Sequence, residues 1–202
     1  MKRMDIILAS QSPRRRELLE RMGVSAFRIV SPDVEEDMGQ DLPPAELVER
    51  LSQQKARAVL EREGPGGLII AADTVVALDG AVLGKPGGAP EAIRMLTALS
   101  GRRHQVYTGL TVLCGGARHT EHEVTDVSFR ALSQAEIAAY VSTGEPMDKA
   151  GAYGIQGYGA LLVEGISGDY YNVMGLPVCR LGRILARLGV DCLALAAEQA
   201  EG

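Results

Sequence analysis

The feature that most restricts the fold is a nearly uninterrupted apolar run over residues 68–78. A strand with apolar side chains on both faces has to be covered on both faces, as in a sheet flanked by helices. Asp79-Gly80 then predicts a tight hairpin turn into Val82-Leu83. Asp73 interrupts the run, at a position where an unpaired carboxylate is costly to bury. The run therefore predicts a buried strand with one charged position.

The other predicted elements mix strands and helices irregularly. Strands are predicted over 6–8, 27–30, 105–114, 117–129 and 160–163, and helices over 13–22, 43–63, 90–100, 133–143 and 176–188. Strict strand–helix–strand alternation is missing, so we expect an α/β fold with a mixed β-sheet flanked by helices, in two lobes around a cleft. The length predicts one domain over residues 1–190, followed by a tail over 191–202 that frays after residue 193.

Composition narrows the class of protein. The chain has 202 residues, 46% of them hydrophobic, and a net charge of −5, which argues against broad nucleic-acid binding. Its three cysteines form no CxxC pair, so neither a disulfide framework nor a structural zinc site is indicated, and a reducing, cytoplasmic setting is expected. No secretory segment and no stretch of membrane-spanning length is found, so membrane insertion is not expected.

An anion site is predicted directly after the first strand. Ser12 is a favourable N-cap and Pro13 a favourable first helical residue, so the free N–H groups of the helix point beyond the strand. Arg14 and Arg15 lie beside that helix end. The alternative is a capped surface helix with solvated arginines.

Two charged residues interrupt apolar patterns. Lys55 continues a stripe formed by Leu47, Leu51 and Val59, which predicts that its ammonium group faces inward, onto a carboxylate or a phosphate. The alternative is a lysine that extends to solvent past a short stripe. Asp73 is a candidate metal ligand or general base, and the alternative is a structural aspartate bonded to backbone.

Three further motifs carry weaker signals. Lys85 has the context of a surface lysine in a turn. Glu35 and Glu36 could supply ligands for Mg²⁺ or Mn²⁺, although acidic loops are usually just solvated. His119 and His122 lack a third ligand, so no metal pair is assigned to them.

A glycine-rich segment over residues 148–159 is too apolar for a linker and too rich in glycine for a regular element. Glycines allow the backbone to approach a ligand closely, and Gln156 offers both a donor and an acceptor to a base edge. The alternative is a complex turn between strands. Neither a Walker A pattern nor a Rossmann fingerprint is present in the sequence.

Taken together, these motifs resemble the Maf family of nucleotide pyrophosphatases, in order, from residue 6 to about residue 188. The matching strings are Ser10-Gln11-Ser12-Pro13-Arg14-Arg15, Glu36, Gln54-Lys55-Ala56, Ala72-Asp73-Thr74-Val75-Val76, Gly84-Lys85-Pro86, Ser100-Gly101, His104-Gln105-Val106-Tyr107-Thr108-Gly109 and the stretch from Asp148 to Gly157. The resemblance implies an elongated mixed-sheet α/β fold of the inosine-triphosphate pyrophosphatase type, with a central cleft. It also implies hydrolysis of nucleoside triphosphates to the monophosphate and pyrophosphate, assisted by a divalent cation, Mg²⁺ or Mn²⁺.

The resemblance assigns roles position by position. Asp73 is implied as the proton acceptor, and Glu36, Lys55 and Lys85 match charged cleft residues with expected catalytic roles. Asp73 and Glu36 are also the candidate metal positions, and the alternative for Glu36 is that it shares the proton. The substrate-binding positions it implies are Ser10, Ser12, Arg14, Arg15, Thr74 and Gln156. The string around Gln156 looks like the branch acting on dTTP and UTP rather than the branch acting on 7-methyl-GTP.

Two other readings stay open at this point. Members of this family have been tied to septum formation, so one alternative is a nucleotide-binding regulator of cell division without essential catalysis. The other is a purine-directed house-cleaning pyrophosphatase of the related fold. In all three readings the expected partner is a small nucleoside triphosphate rather than a nucleic acid or a membrane, and a homodimer is left open.

Overall fold

The computed structural model of the chain describes residues 4–34 and 42–200. The strands are β1 (Ile6–Leu8), β2 (Arg28–Ile29), β3 (Leu68–Leu78), β4 (Ala81–Leu83), β5 (Arg103–Cys114), β6 (Ala117–Phe129) and β7 (Val163–Ser167). The α-helices are α1 (Pro13–Arg21), α2 (Pro44–Glu63), α3 (Ala89–Leu99), α4 (Gln134–Ser142), α5 (Tyr170–Met174), α6 (Val178–Arg187) and α7 (Cys192–Ala200). Short 3₁₀ helices span Glu145–Asp148, Ala150–Ala152 and Tyr158–Leu162.

The seven strands form one mixed sheet in the order β2-β1-β3-β5-β6-β7, with β4 paired to β3. β1 runs parallel to both β2 and β3, whereas the β3–β4 and β6–β7 pairs are antiparallel. β3 is buried along nearly its whole length, as its apolar sequence requires. The predicted mixed α/β sheet is confirmed.

The chain divides into two compact units. The first comprises the described residues of 1–73 with 108–123 and 175–200, and the second comprises 74–107 and 124–174. The first unit has a core that includes Ile7, Val59 and Ile69. The core of the second unit includes Leu96 and Phe129.

In the first unit, helix α2 lies close against β5. A Cβ atom at Gly109 of β5 would collide with the backbone carbonyl of Val48. Glycine at this position therefore sets how closely the helix approaches the strand, and it brings the buried face of α2 onto the sheet.

A buried histidine belongs to the core of the second unit. His104 is 2% exposed, and its Nε2 atom lies 2.8 Å from the hydroxyl of Tyr153. Its ring also packs edge-on against Phe129, with ring centroids 4.9 Å apart. Burial lowers the pKa of His104 to about 4, so the imidazole is neutral near pH 7.

Two predictions about local structure are wrong. Residues 158–162 form a 3₁₀ helix and β7 begins only at Val163, because the N–H groups of Tyr158 and Gly159 bind the side chain of Glu145. The tail does not fray over its described residues. It forms α7, since Asp191 accepts hydrogen bonds from the first turn and Gln199 donates to the carbonyl of Gly23 over 2.7 Å.

The described residues also include α5, a helix that was not predicted. Among these residues, no helix combines the length and the apolar character needed to cross a membrane.

Candidate active site

The central contact of the candidate site joins Lys55 to Asp73. Lys55 lies on the buried face of α2 and is 8% exposed, while Asp73 lies on β3 and is 6% exposed. The Lys55 ammonium group donates a hydrogen bond to Asp73 Oδ1, and the two form an ion pair. The prediction that Lys55 faces inward onto a carboxylate is therefore confirmed. Two opposite charges buried in contact offset much of the cost of removing each from water.

A second polar group in the same unit follows the end of β1. Leu8 of β1 pairs with Ile70 of the parallel strand β3. Ser10 and Asp73 follow these two residues by two and three positions, so both lie beyond the same end of the paired stretch. The Ser10 hydroxyl oxygen accepts hydrogen bonds from the N–H group of Ser12 and from Arg15 Nη1, both over 3.2 Å. The start of α1 is thus tied to the end of β1.

The predicted start of helix α1 is confirmed. Ser12 occupies the N-cap position of α1, with Pro13 at the first helical position, but the Ser12 side chain makes no capping hydrogen bond. Arg15 Nε donates to the carbonyl of Gly175 over 2.8 Å, which fixes the guanidinium group of this half-buried residue. Arg14 is half-buried on the first turn of the same helix.

The remaining predicted positions belong to the second unit. Thr74 directly follows Asp73 on β3 and is half-buried, whereas Lys85 and Gln156 are exposed. The Gly84 carbonyl accepts a hydrogen bond of 3.0 Å from the N–H group of Gly151. The loop that carries Lys85 is therefore joined to the glycine-rich segment that carries Gln156.

Glu145, which precedes this segment and binds to it, is a polar residue that sequence analysis missed. Its carboxylate accepts hydrogen bonds from the N–H groups of Tyr158 and Gly159 and from the Tyr140 hydroxyl. The two amides lie 13 and 14 residues further along the chain. No local sequence pattern predicts these hydrogen bonds, because every residue type except proline carries the same backbone N–H donor.

Comparison with known proteins assigns the family. The Maf-like protein family matches residues 5–188. The chain belongs to the Maf-like protein family. Among its relatives, the dTTP/UTP pyrophosphatase of Symbiobacterium thermophilum is 53% identical over 184 residues, which cover 91% of this chain and 94% of that protein. The dTTP/UTP pyrophosphatase of Bacillus pumilus is 49% identical over 185 residues, covering 92% and 97%.

A solved structure of similar extent adds little to that assignment. The nucleoside-triphosphatase / dITP/XTP pyrophosphatase of Mycobacterium abscessus covers 92% of this Maf-like chain and 94% of its own, at 20% identity and a TM-score of 0.44.

The predicted donors for a divalent cation in this Maf-like protein are Asp73 and Glu36. Within residues 4–34 and 42–200, no three His, Cys, Asp or Glu side chains are grouped so as to hold a metal. Glu35 and Glu36 lie outside the described residues. His122 Nδ1 lies 2.7 Å from Glu49 Oε1. A single carboxylate still fits Mg²⁺, which is commonly held by one or two carboxylates together with substrate phosphates.

Proposed function

We propose that this chain hydrolyses dTTP and UTP to the nucleoside monophosphate and pyrophosphate. The observation that carries the proposal is the buried ion pair of Lys55 and Asp73 in a Maf-like chain. A carboxylate held in contact with an ammonium group supplies a base of fixed orientation, which pure nucleotide binding does not require. The names of the relatives support the choice of dTTP and UTP.

In the proposed reaction, Asp73 accepts a proton from the water molecule that attacks the α-phosphorus. A bond forms between the water oxygen and the α-phosphorus, and the bond from that phosphorus to the α,β-bridging oxygen breaks. The bond electrons leave with pyrophosphate. Lys55 orients the Asp73 carboxylate through its hydrogen bond to Oδ1.

The remaining cationic residues are proposed to bind the triphosphate. Phosphoryl transfer depends mainly on positioning and on neutralising negative charge. Arg14, the start of α1 and Lys85 would supply positive charge, with Ser10 and Arg15 holding that helix start in place.

A divalent cation, Mg²⁺ or Mn²⁺, would be held by Asp73 and Glu36 together with phosphate oxygens, and would neutralise charge that develops on the phosphates. The donor chemistry of Asp73 fits that role. The assignment of Glu36 rests on the sequence resemblance.

Gln156 is proposed to select the base, with Thr74 as a second position for substrate choice. Its side chain is exposed and can present an amide N–H and an amide oxygen to the O4 and N3–H edge of thymine or uracil. Where the bound base shields these groups from water, a base with the wrong edge leaves them unsatisfied, at about 1–3 kcal/mol each. Discrimination of about 5- to 150-fold for each lost bond is therefore expected.

The cellular setting is proposed to be the reducing cytoplasm. Cys114, Cys179 and Cys192 are free thiols, which is the ordinary state of cysteine in that compartment.

The test is a panel of nucleotides with pyrophosphate as the measured product. The wild-type protein should show the highest kcat/KM with dTTP and UTP, and a lower kcat/KM with CTP, GTP and 7-methyl-GTP. Gln156→Ala should reduce that preference, whereas Gln134→Ala, which alters an exposed glutamine of α4, should leave it unchanged. Nucleotide binding without pyrophosphate release would favour a regulator instead, and preference for a purine nucleotide would refute the base assignment.

A further inference from the structure

We infer that Glu145, acting with Tyr140, is a positioning residue for base choice, because it fixes both flanks of the loop that presents Gln156. The inference rests on the proposed function of Gln156. It assigns to Glu145 a role exerted through the loop rather than by contact with the nucleotide.

The contacts of the Glu145 carboxylate lie on the C-terminal flank of the loop. Its Oε2 atom accepts a hydrogen bond of 2.8 Å from the N–H group of Tyr158, and its Oε1 atom accepts one of 3.0 Å from Gly159. A carboxylate is suited to this position because it accepts at both oxygens and donates at neither. Residues 158 and 159 are thereby held to a single acceptor group.

Tyr140 extends the same arrangement to the N-terminal flank. Its hydroxyl donates to Glu145 Oε1 over 2.8 Å, and its oxygen accepts a hydrogen bond of 3.2 Å from the N–H group of Gly154. Ile155 is buried, whereas Gln156 is exposed. The exposed amide therefore lies between two flanks that are joined through Glu145.

The glycines of the loop allow this close approach. A Cβ atom at Gly157 would collide with the Glu145 carboxylate, and one at Gly159 would collide with the carbonyl of Gly154 and crowd the Tyr140 hydroxyl. Glycine at positions 157 and 159, both of which follow Gln156, is thus a requirement of the loop's attachment to Glu145.

Glu145 is itself held firmly. Its N–H group donates to Thr143 Oγ1 over 3.2 Å, and Lys149 Nζ donates to its carbonyl over 2.6 Å. Burial acts to raise the pKa of Glu145, but the N–H groups of Gly159 and Tyr158 and the Tyr140 hydroxyl outweigh it and lower the pKa. The side chain is therefore the charged acceptor that the loop needs at neutral pH.

The experiment compares three variants with the wild type. Glu145→Gln keeps the size of the side chain but turns one acceptor oxygen into a donor, and Tyr140→Phe removes the shared hydroxyl while keeping the buried ring. Glu136→Gln is the matched control, because the carboxylate of Glu136 in α4 also accepts hydrogen bonds from a backbone N–H group, that of Ser133, and from side chains, those of Ser133 and Arg130. Its contacts lie outside the loop.

Two quantities are measured for each protein. The first is the ratio of kcat/KM for dTTP to that for GTP, with kcat and KM separated. The second is amide hydrogen exchange at residues 154–159 without nucleotide, read by mass spectrometry. Glu145→Gln should lower the dTTP:GTP ratio about tenfold, the factor expected for one misaligned hydrogen bond, mainly through a higher KM for dTTP. It should also speed exchange at Tyr158 and Gly159, and Tyr140→Phe should cause a smaller change in both quantities.

The outcomes separate this inference from the proposed function. Unchanged exchange in both variants, or faster exchange with an unchanged dTTP:GTP ratio, would overturn the positioning role. A Glu136→Gln variant that lowers the ratio as much as Glu145→Gln would overturn it too, since general destabilisation would then be the cause. If Glu145→Gln fails to fold, Tyr140→Phe decides by the same two measurements. A wild-type protein that does not prefer dTTP refutes the proposed base choice, and the exchange rates still decide whether Glu145 holds the loop.

Discussion

Replacing Lys55 by Met should destabilise the protein strongly, because it leaves the Asp73 carboxylate buried without its ammonium partner. The two side chains are 10% and 9% exposed, so water cannot replace the lost contact. Breaking a buried pair by removing one partner costs about 3–5 kcal/mol. For a chain of this length, each kcal/mol shifts the Tm by roughly 2–4 °C, so the Tm should fall by about 6–20 °C.

The double variant provides the sharper test of the pair. Asp73→Asn alone removes the carboxylate in contact with the buried Lys55 ammonium group, whereas Lys55→Met combined with Asp73→Asn removes both charges of the pair. The double variant should therefore lose less stability than the sum of the single variants, by about 1–3 kcal/mol.

Urea unfolding followed by circular dichroism measures the loss in free energy of unfolding for the two single variants and the double variant. The matched control is Arg102→Met, which breaks an ion pair to Asp79 whose two side chains are 46% and 74% exposed. Exposed pairs contribute about 0–1 kcal/mol, so this control should change little. A Lys55→Met loss as small as that of the control, or strict additivity in the double variant, would refute the buried pair.

Three further predictions concern pH, packing and metal. Burial lowers the pKa of His104 to about 4, against about 6.5 in an unfolded chain, so the unfolded chain binds more protons between these two pH values. The free energy of unfolding should therefore fall by up to about 3 kcal/mol as the pH is lowered from 6.5 to 4. Urea unfolding at several pH values measures this slope, and His104→Gln should flatten it. Gly109→Ala should lower the free energy of unfolding by about 3 kcal/mol, because the added Cβ atom would clash with Val48. In the control Gly66→Ala the added Cβ atom meets nothing within 4 Å, so the free energy of unfolding should change by no more than about 0.5 kcal/mol. Equal losses in the two variants would contradict the close packing of α2 on β5. A chelator should abolish pyrophosphate release from dTTP, and Mg²⁺ or Mn²⁺ should restore it; full activity with the chelator would exclude metal assistance.

Local patterns in the sequence predicted the elements that depend on local physics. The stripe that contains Lys55 predicted its burial, because helical periodicity decides which side chains share a face. A helix was predicted over 133–143, where Ser133 and Glu136 have the spacing of a capping box, and the structure has both hydrogen bonds of that box at the start of α4.

Contacts between distant segments account for what was missed. The apolar residues over 160–163 suggested a strand, but Glu145 binds the amides of Tyr158 and Gly159 and holds a 3₁₀ turn there. The tail was expected to fray, but Gln199 binds the carbonyl of Gly23, 176 residues away along the chain. Neither contact leaves a pattern in its own stretch of sequence.

The central claim is that Asp73 carries the chemistry, and the most direct test is pyrophosphate release from dTTP by Asp73→Asn. Asparagine keeps the size of the side chain but cannot accept the proton or supply a charged oxygen. Turnover is measured where circular dichroism shows the variant folded, beside Asp79→Asn, which alters an exposed carboxylate. The account predicts a kcat lowered about 100-fold or more in Asp73→Asn and unchanged in Asp79→Asn, in line with the loss of a general base. Turnover by Asp73→Asn close to that of the wild type would contradict it.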